Sequence, residues 1–350
     1  MQTIRLLALI ILVTTVTAGG AWTREYRIGV LYWSSNIPGQ VAMSKGLEAE
    51  TYKINAQAVA KNRPTVKLVI RTAGDGANGI ENQIRQMKGL IRDKVDLIIV
   101  QPTDNAALAE PLRLANQTGI KVVAYDQYIS GGTLAAYRTS DNYQAGYLDG
   151  EYIASKFTKT KQLRIVLVEY PHVSSTVERV NGFLEALEQA GQKYRVLKSY
   201  TAVEPVSGGK AGESILKDFP TRGSIDVVFT VNDGGGLAVV DRLAKAGRNE
   251  IMVASIDGDP ASVKNVREGR LTVIDSAQFC GPLGAEALKA GYALLNNEKA
   301  PYHALVPVFP ITRETLKKYP GWMGPIPPAF AKPWKSSVPQ WSGAIRIVKP

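Results

Sequence analysis

The chain is 350 residues long, with 45% hydrophobic residues, a formal net charge of +11 and a single cysteine, Cys280. Lys and Arg are spread over the whole length, so the charge reads as solubility and a weak attraction to acidic envelope surfaces, and no nucleic-acid face is expected. One cysteine excludes an intrachain disulfide and any C-x-x-C metal or redox pair, so the fold rests on its own core, and the length suggests about two domains.

The first segment, Met1-Gln-Thr-Ile-Arg5, leads into an uncharged run that ends at Ala18 and is followed by Gly19-Gly20-Ala21. A cationic start, an apolar centre and a small-residue exit predict a secretory signal peptide over 1–21. The run is shorter than the about 20 apolar residues of a membrane span. After it, strand-like and helix-like segments alternate. Residues 26–33 form an apolar β run, 40–54 have helical spacing, 65–70 are β and 80–91 are amphipathic. A continuous apolar strand over 95–100 precedes a helix over 106–116 and a second buried strand over 120–125.

That second strand, Val122-Val-Ala-Tyr-Asp-Gln-Tyr, ends by placing a lone carboxylate, Asp126, at its C-terminal edge. Thr139-Ser-Asp-Asn-Tyr-Gln-Ala-Gly146 then opens a helix, with Ser140 or Asp141 as N-cap. Helices follow over 142–157, 175–190, 211–218, 236–246, 261–268 and 283–296. The strands between them are 164–168, 194–199, 226–231, 251–256 and 271–275. Buried strands alternating with helices of about 12–16 residues predict an α/β fold of doubly wound parallel sheets. About ten such units exceed one small sheet. The pattern restarts near residue 140, so two lobes are expected, with a cleft lined by strand-end loops of both.

Residues 313–350 differ. Seven prolines from Pro320 to Pro350 deny helix and central strand, while Trp322, Trp334 and Trp341 argue against a disordered tail. An extended strap on the surface of the lobes is expected.

Signatures of enzymes and metal sites are sparse. His172 and His303 are the only histidines, and no H-E-x-x-H, G-x-S-x-G, P-loop or G-x-G-x-x-G spacing occurs. No catalytic residue, metal site or cofactor is expected. What recurs is a polar side chain at a strand's end: Asp126, Asn232, Asp257 and Gln278, with Arg179 in a helix opening after a strand. Each alone reads as a turn former or cap. Together they suit a polyol, because a carboxylate accepts from adjacent hydroxyls, an amide donates and accepts, and a guanidinium fork donates. Tyr32, Trp33, Tyr128 and Phe279 are candidates to cover the C–H face of a sugar.

The chain resembles the type I periplasmic binding proteins of the ribose-binding cluster from about residue 26 to 313. The resemblance rests on Gln101-Pro-Thr-Asp-Asn, Ala115-Asn116, Tyr125-Asp126, Ser140-Asp-Asn142, Glu178-Arg-Val-Asn-Gly-Phe183, Val231-Asn-Asp233, Ser255-Ile-Asp-Gly258 and Ala277-Gln278. It implies that Asp126, Arg179, Asn232, Asp257 and Gln278 hydrogen-bond a sugar. It also implies interleaved lobes, 22–139 plus 280–304 and 140–279 plus 305–312, joined by three hinge crossings. Two positions depart from the family pattern. Ile37-Pro38-Gly39-Gln40 stands where an aromatic stacking pair is usual, and Gln127 follows the first aspartate where Arg is common. Either Tyr32, Trp33 or Tyr128 replaces the stack, or the ligand is not a simple aldopyranose. The expected ligand-binding set is therefore Asp126, Arg179, Asn232, Asp257 and Gln278, with Gln127, Gln40, Trp33 and Tyr128. The expected function is a monomeric periplasmic solute-binding protein that delivers a sugar or polyol to an inner-membrane ABC permease. The alternative is a periplasmic sensor that presents its ligand to a membrane histidine kinase or chemoreceptor.

Overall fold

The structure is a computed structural model that describes residues 24–349; the predicted leader lies outside the described residues. Two sheets organise it. The first contains β1 (Glu25–Tyr32), β2 (Thr65–Thr72), β3 (Leu97–Val100), β4 (Lys121–Tyr125) and β5 (Ala136–Ser140), linked through α1 (Pro38–Ala60), α2 (Gly76–Arg92) and α3 (Ala109–Gln117). Its strands lie in the order β2-β1-β3-β4-β5, all parallel. Beyond β5 come β11 (His303–Val306), parallel, and β15 (Arg346–Val348), antiparallel.

The second sheet contains β6 (Leu163–Glu169), β7 (Tyr194–Thr201), β8 (Val227–Thr230), β9 (Met252–Asp257), β10 (Thr272–Gln278) and the antiparallel edge strand β12 (Val308–Ile311). Its helices are α4 (Asn142–Ser155), α5 (Ser174–Gln189), α6 (Pro205–Asp218), α7 (Asp233–Lys245) and α8 (Pro260–Glu268). The long α9 (Cys280–Leu295) returns to pack on α1, β3, β4 and β5 of the first lobe. The chain therefore passes between the sheets after β5, after β10 and between β11 and β12. With β15 it crosses once more. Among the described residues, no helix is long and apolar enough to cross a membrane.

The strands are where apolar runs predict them, because β3, β4 and β8 are buried on both faces or nearly so. β5 was not predicted, and its composition explains why. All five of its residues are buried, yet Arg138, Thr139 and Ser140 break the apolar run. Most of their polar atoms are matched inside: Arg138 Nη1 donates to the carbonyl of Tyr137, Thr139 Oγ1 to that of Asp126, and Ser140 Oγ to Gln278 Oε1, while Arg138 Nε has no partner among the described residues. The short strands β11 and β12 were likewise not predicted. α6 begins at Pro205, six residues before the predicted start, under a capping box between Glu204 and Ser207. Gly208 and Gly209, ahead of the predicted start, lie inside the helix.

One close contact positions the site. α4 and α5 approach so nearly that a Cβ on Gly146 would stand 1.8 Å from the carbonyl oxygen of Arg179. Only glycine permits that approach, and it holds Arg179 beside the first turn of α4. Asp141 caps that turn by accepting from the amide of Gln144.

Residues 313–349 are extended, with a 3-10 turn at Leu316–Lys318 and a short hairpin of β13 (Phe330–Ala331) and β14 (Gln340–Trp341). Phe309, Phe330 and Trp341 pack together with ring centroids 5.1–5.5 Å apart, and Trp341 Nε1 donates to the carbonyl of Val308 at 2.7 Å. On α4, Glu151 receives Lys332 Nζ at 2.7 Å and Trp334 Nε1 at 3.0 Å, and it also receives Ser336 Oγ. Farther along, Arg346 bonds Asp141 at 2.5 Å, and β15 joins the first sheet. The segment thus rests on both lobes.

Candidate functional site

Between the lobes, at the C-terminal ends of both sets of strands, lies a small cavity of about 20 Å³. Asp126, Gln127, Trp33 and Gln40 reach it from the first lobe, and Arg179, Asn232, Asp257 and Gln278 from the second sheet and its helices. Eight of the nine expected ligand-binding side chains share its wall. Tyr128 does not. Its ring stands edge-on to Tyr137 at 5.3 Å and packs on the first lobe's core, because the backbone turns at residue 126 and carries the side chain away. Of the other aromatic candidates, Tyr32 bonds Glu48 and Phe279 is buried against Tyr319, so neither lines the cavity. Among the described residues, Trp33 is the one that offers the cavity an aromatic face.

The carboxylates are set by unusual backbone geometry. Asp126 has φ +64° and Asp257 φ +131°, both in the region that side chains rarely adopt. Such conformations persist only where surrounding bonds over-determine them. For Asp126, the amide donates to the carbonyl of Arg138 at 2.8 Å, and its own carbonyl accepts from Thr139 Oγ1 at 2.8 Å and Tyr137 OH at 3.1 Å. The turn aims the carboxylate inward, where Gln101 Nε2 donates to Oδ2 at 2.9 Å.

Among the described residues, Arg179 is the only cation in the cavity wall, and it is 3% exposed. Nε donates to Asn142 Oδ1 at 2.9 Å, and Nη1 donates to the carbonyl of Val231 at 2.7 Å and to Asp257 Oδ1 at 3.1 Å. Among the described residues, Nη2 has no acceptor. Gln278 is oriented at both ends: Nε2 donates to Asp257 Oδ1 at 2.6 Å, and Oε1 accepts from Ser140 Oγ at 2.7 Å. Asn232 caps α7, with Oδ1 receiving the amide of Gly235 and Nδ2 donating to the carbonyl of Val203. The capping and cavity-lining readings of this residue are thus both met. Gln127 Oε1 accepts from the amide of Ser175, while Gln40 Oε1 is buried with no partner among the described residues.

Burial raises the pKa of both Asp126 and Asp257. Arg179 opposes the shift in each case, and glutamine donors help it. Behind Asp257, burial likewise raises Asp233 and Asp275, whose carboxyls neighbour each other, and raises Asp149 well above the usual range. A raised carboxyl keeps its proton longer in the folded protein than in the unfolded chain. Its stabilising contribution is therefore complete below the unfolded value, about 4, and is lost as pH rises through the folded value. Asp226 and Glu250 act oppositely. Both lie at about 2, Asp226 held down chiefly by Arg164 and Glu250 chiefly by Arg248, so their contribution is lost on acidification. The melting temperature is accordingly expected to peak in mildly acidic solution and to fall as pH is raised through neutrality. Calorimetry across that range checks this, and a melting temperature that climbs steadily to pH 8 would contradict the burial of these acids.

The lobes are closed on each other. The amide of Asn105 donates to the carbonyl of His172, the amide of Ser174 to Asn105 Oδ1, and the amide of Tyr128 to Ser174 Oγ, at 3.2–3.3 Å. Ile37, Gly39 and Met43 from the first lobe and Val173 and Val203 from the second complete the wall. Ile37 and Gly39 belong to the stretch that stands where a stacking pair is usual; sequence reasoning missed Met43, Val173 and Val203, since an apolar residue in a loop or on a helix carries no sign of which surface it faces. It also gave Gln101 no individual role, although Gln101 follows an apolar strand as Asp126 does. Among the described residues, no group of three His, Cys, Asp or Glu side chains could hold a metal ion.

Comparison with known proteins places this geometry. A family model described as periplasmic binding protein domain matches residues 28–299. The ribose import binding protein of Bacillus subtilis is 28% identical over 267 residues, 75% of this chain and 81% of its own length. The ribose import binding protein of Escherichia coli is 26% identical over 273 residues, 78% of this chain and 86% of its own. In fold, the chain is similar to an ABC transporter solute binding protein from Bacillus halodurans crystallised with myo-inositol. The TM-score is 0.72 at 23% identity, covering 85% of this chain and 98% of that one.

Proposed function

The chain belongs to the periplasmic binding protein domain family, and on that premise we propose that it is an exported solute-binding protein that holds a sugar or related polyol between its lobes and delivers it to an ABC permease. The observation that carries this reading is the convergence of Asp126, Arg179, Asn232, Asp257 and Gln278, contributed by both lobes, on one cavity. Residues 1–21 would be the export leader, removed before the protein acts.

Each group has a part that its chemistry suits. Asp126 and Asp257 accept from adjacent hydroxyls, the amides of Gln40, Gln127, Asn232 and Gln278 donate and accept, and Nη2 of Arg179 donates to a ring or hydroxyl oxygen. Trp33 covers a C–H face. Charge-assisted bonds contribute about 1.5–3 kcal/mol each. After the cost of ordering the guest, several of them suffice for the roughly 8 kcal/mol of a micromolar complex. The relatives are named as binding proteins, and binding is the activity proposed, with no covalent step.

The cavity as closed holds about one water. A monosaccharide enters only when the bonds of Asn105, Tyr128 and Gln127 to residues 172–175 break and the lobes part. They then close on the guest, which favours closure because it bonds to both sides. With one aromatic face instead of two, the site relies on polar bonds more than on stacking, which suits cyclitols and other guests without a flat apolar face.

A thermal-shift panel of D-ribose, D-allose, D-galactose, myo-inositol, sorbitol and glycerol tests the reading. A guest at a hundred times its dissociation constant stabilises by about 2.7 kcal/mol, so at least one compound is expected to raise the melting temperature by several degrees. A panel in which none does so at millimolar concentration would overturn it.

A further inference from the structure

The backbone that leaves Asp257 is held from three sides. Asp257 and Gly258 have φ +131° and +80°. The amide of Gly258 donates to Asp275 Oδ1 at 2.9 Å and that of Asp259 to Asp233 Oδ2 at 2.8 Å. These two acceptors belong to the second lobe itself. The third partner does not: the carbonyl of Asp257 accepts from Trp322 Nε1 at 2.5 Å, and Trp322 lies in the C-terminal strap, beyond the residues matched by the family model. Tyr319, three residues earlier, closes over the same loop. A Cβ on Gly258 would stand 2.8 Å from Tyr319 OH and 2.4 Å from the Cβ of Ala277, so the loop is confined as well as bonded.

Trp322 is tied to the other lobe too. Its carbonyl accepts from the amide of Gly281 at 3.0 Å, one of the first-turn donors of α9 that no helix carbonyl can satisfy. Met323 lies against Gly281, where a Cβ would come 2.8 Å from its sulfur. One residue of the strap thus bonds the backbone of a site carboxylate in the second lobe and the start of a helix in the first.

We propose that Trp322 is a positioning residue: it fixes the backbone of Asp257 so that the carboxylate faces the guest, and it thereby makes the strap part of the binding site. The proposal rests on the reading that Asp257 contacts the guest. A strained backbone that loses one of three holding bonds relaxes, and its side chain relaxes with it. The consequence is a weaker complex, with the contact residues themselves untouched.

The experiment compares the full chain with Trp322→Phe, which keeps the ring and removes the donor. Trp334→Phe is the control, since it removes another strap indole whose N–H serves Glu151 instead. Hydrogen exchange without any ligand is read at the amides of Gly258 and Asp259. Binding of D-ribose, D-allose and myo-inositol is read by calorimetry. Trp322→Phe is expected to speed exchange at both amides at least tenfold and to raise the dissociation constant of the tightest of the three probes at least tenfold. Trp334→Phe is expected to change neither by more than twofold, whatever it does to the melting temperature. Trp322→Leu, which also lacks a side-chain donor, is the second variant if Trp322→Phe does not accumulate.

Unchanged exchange at the two amides overturns the proposal. So does faster exchange with probe affinity within twofold of wild type, or an equal loss in Trp334→Phe. If no probe binds the wild-type protein, the proposed function falls for these guests, and the exchange result alone decides whether Trp322 holds the loop.

Discussion

Glu151→Ala is expected to destabilise the protein by about 3–5 kcal/mol, among the largest effects of any single substitution outside the cavity. Lys332 comes from the strap and Glu151 from α4, with side chains 2% and 7% exposed and a separation of 2.7 Å. Removing the carboxylate strands the ammonium in a place from which water is excluded, and it also strips the partner from Trp334 Nε1 and Ser336 Oγ. The charge, more than the lost contacts, sets the cost. Glu151→Met combined with Lys332→Met should therefore recover most of the stability, since an apolar pair of similar volume often serves as well as a buried ion pair. Urea denaturation of the two variants separates these terms. A single variant within 1 kcal/mol of wild type would mean that Lys332 reaches solvent.

Arg179→Ala is expected to abolish guest-induced stabilisation and to weaken the unliganded protein by several kcal/mol. In the wild-type protein the guanidinium serves Asn142, Val231 and Asp257 at once, and among the described residues it is the only positive charge in the wall that holds the carboxylates of Asp126 and Asp257. Truncation leaves buried acceptors unpaired, which costs about 1–3 kcal/mol for each that cannot find water. Without the cation, the two acids hold their protons to still higher pH, so fewer charged acceptors meet the guest near neutrality. Arg179→Lys distinguishes charge from shape. It keeps the cation but cannot reproduce a planar fork that reaches Asn142, Val231 and Asp257 together, so it should retain more stability than alanine while still losing affinity at least tenfold. Calorimetric melting with and without D-ribose, D-allose and myo-inositol gives both readings. A wild-type shift in Arg179→Ala would remove this residue from the binding site.

The alternation of elements was legible because parallel strands buried on both faces are continuous apolar runs, and 97–100, 122–125 and 227–230 are of that kind. β5 was hidden because its buried polar groups find partners distant in sequence: Gln278 is 138 positions from Ser140. Local composition cannot register such matching. The carboxylates could be read for the opposite reason. Asp126 and Asp257 end apolar strands, and a strand end in a parallel sheet points at the cleft whatever the rest of the fold does. Ring directions could not be read. Trp33 and Tyr128 both follow strands, and only the backbone turn at Asp126 separates one that faces the cavity from one that packs on Tyr137. The strap's prolines denied it helix and central strand but gave no indication that Trp322 reaches the loop after Asp257.

Trp322 and Lys332 leave the ribosome after β1 to β12 of the two lobes. A growing chain folds its N-terminal portions first, so both lobes exist before the residues that fasten them. Until the strap arrives, the loop after Asp257 lacks one of its three anchors and Glu151 lacks its cation. A product that stops short of residue 322 would keep the strands of both lobes from β1 to β12 yet be poor at capturing its guest.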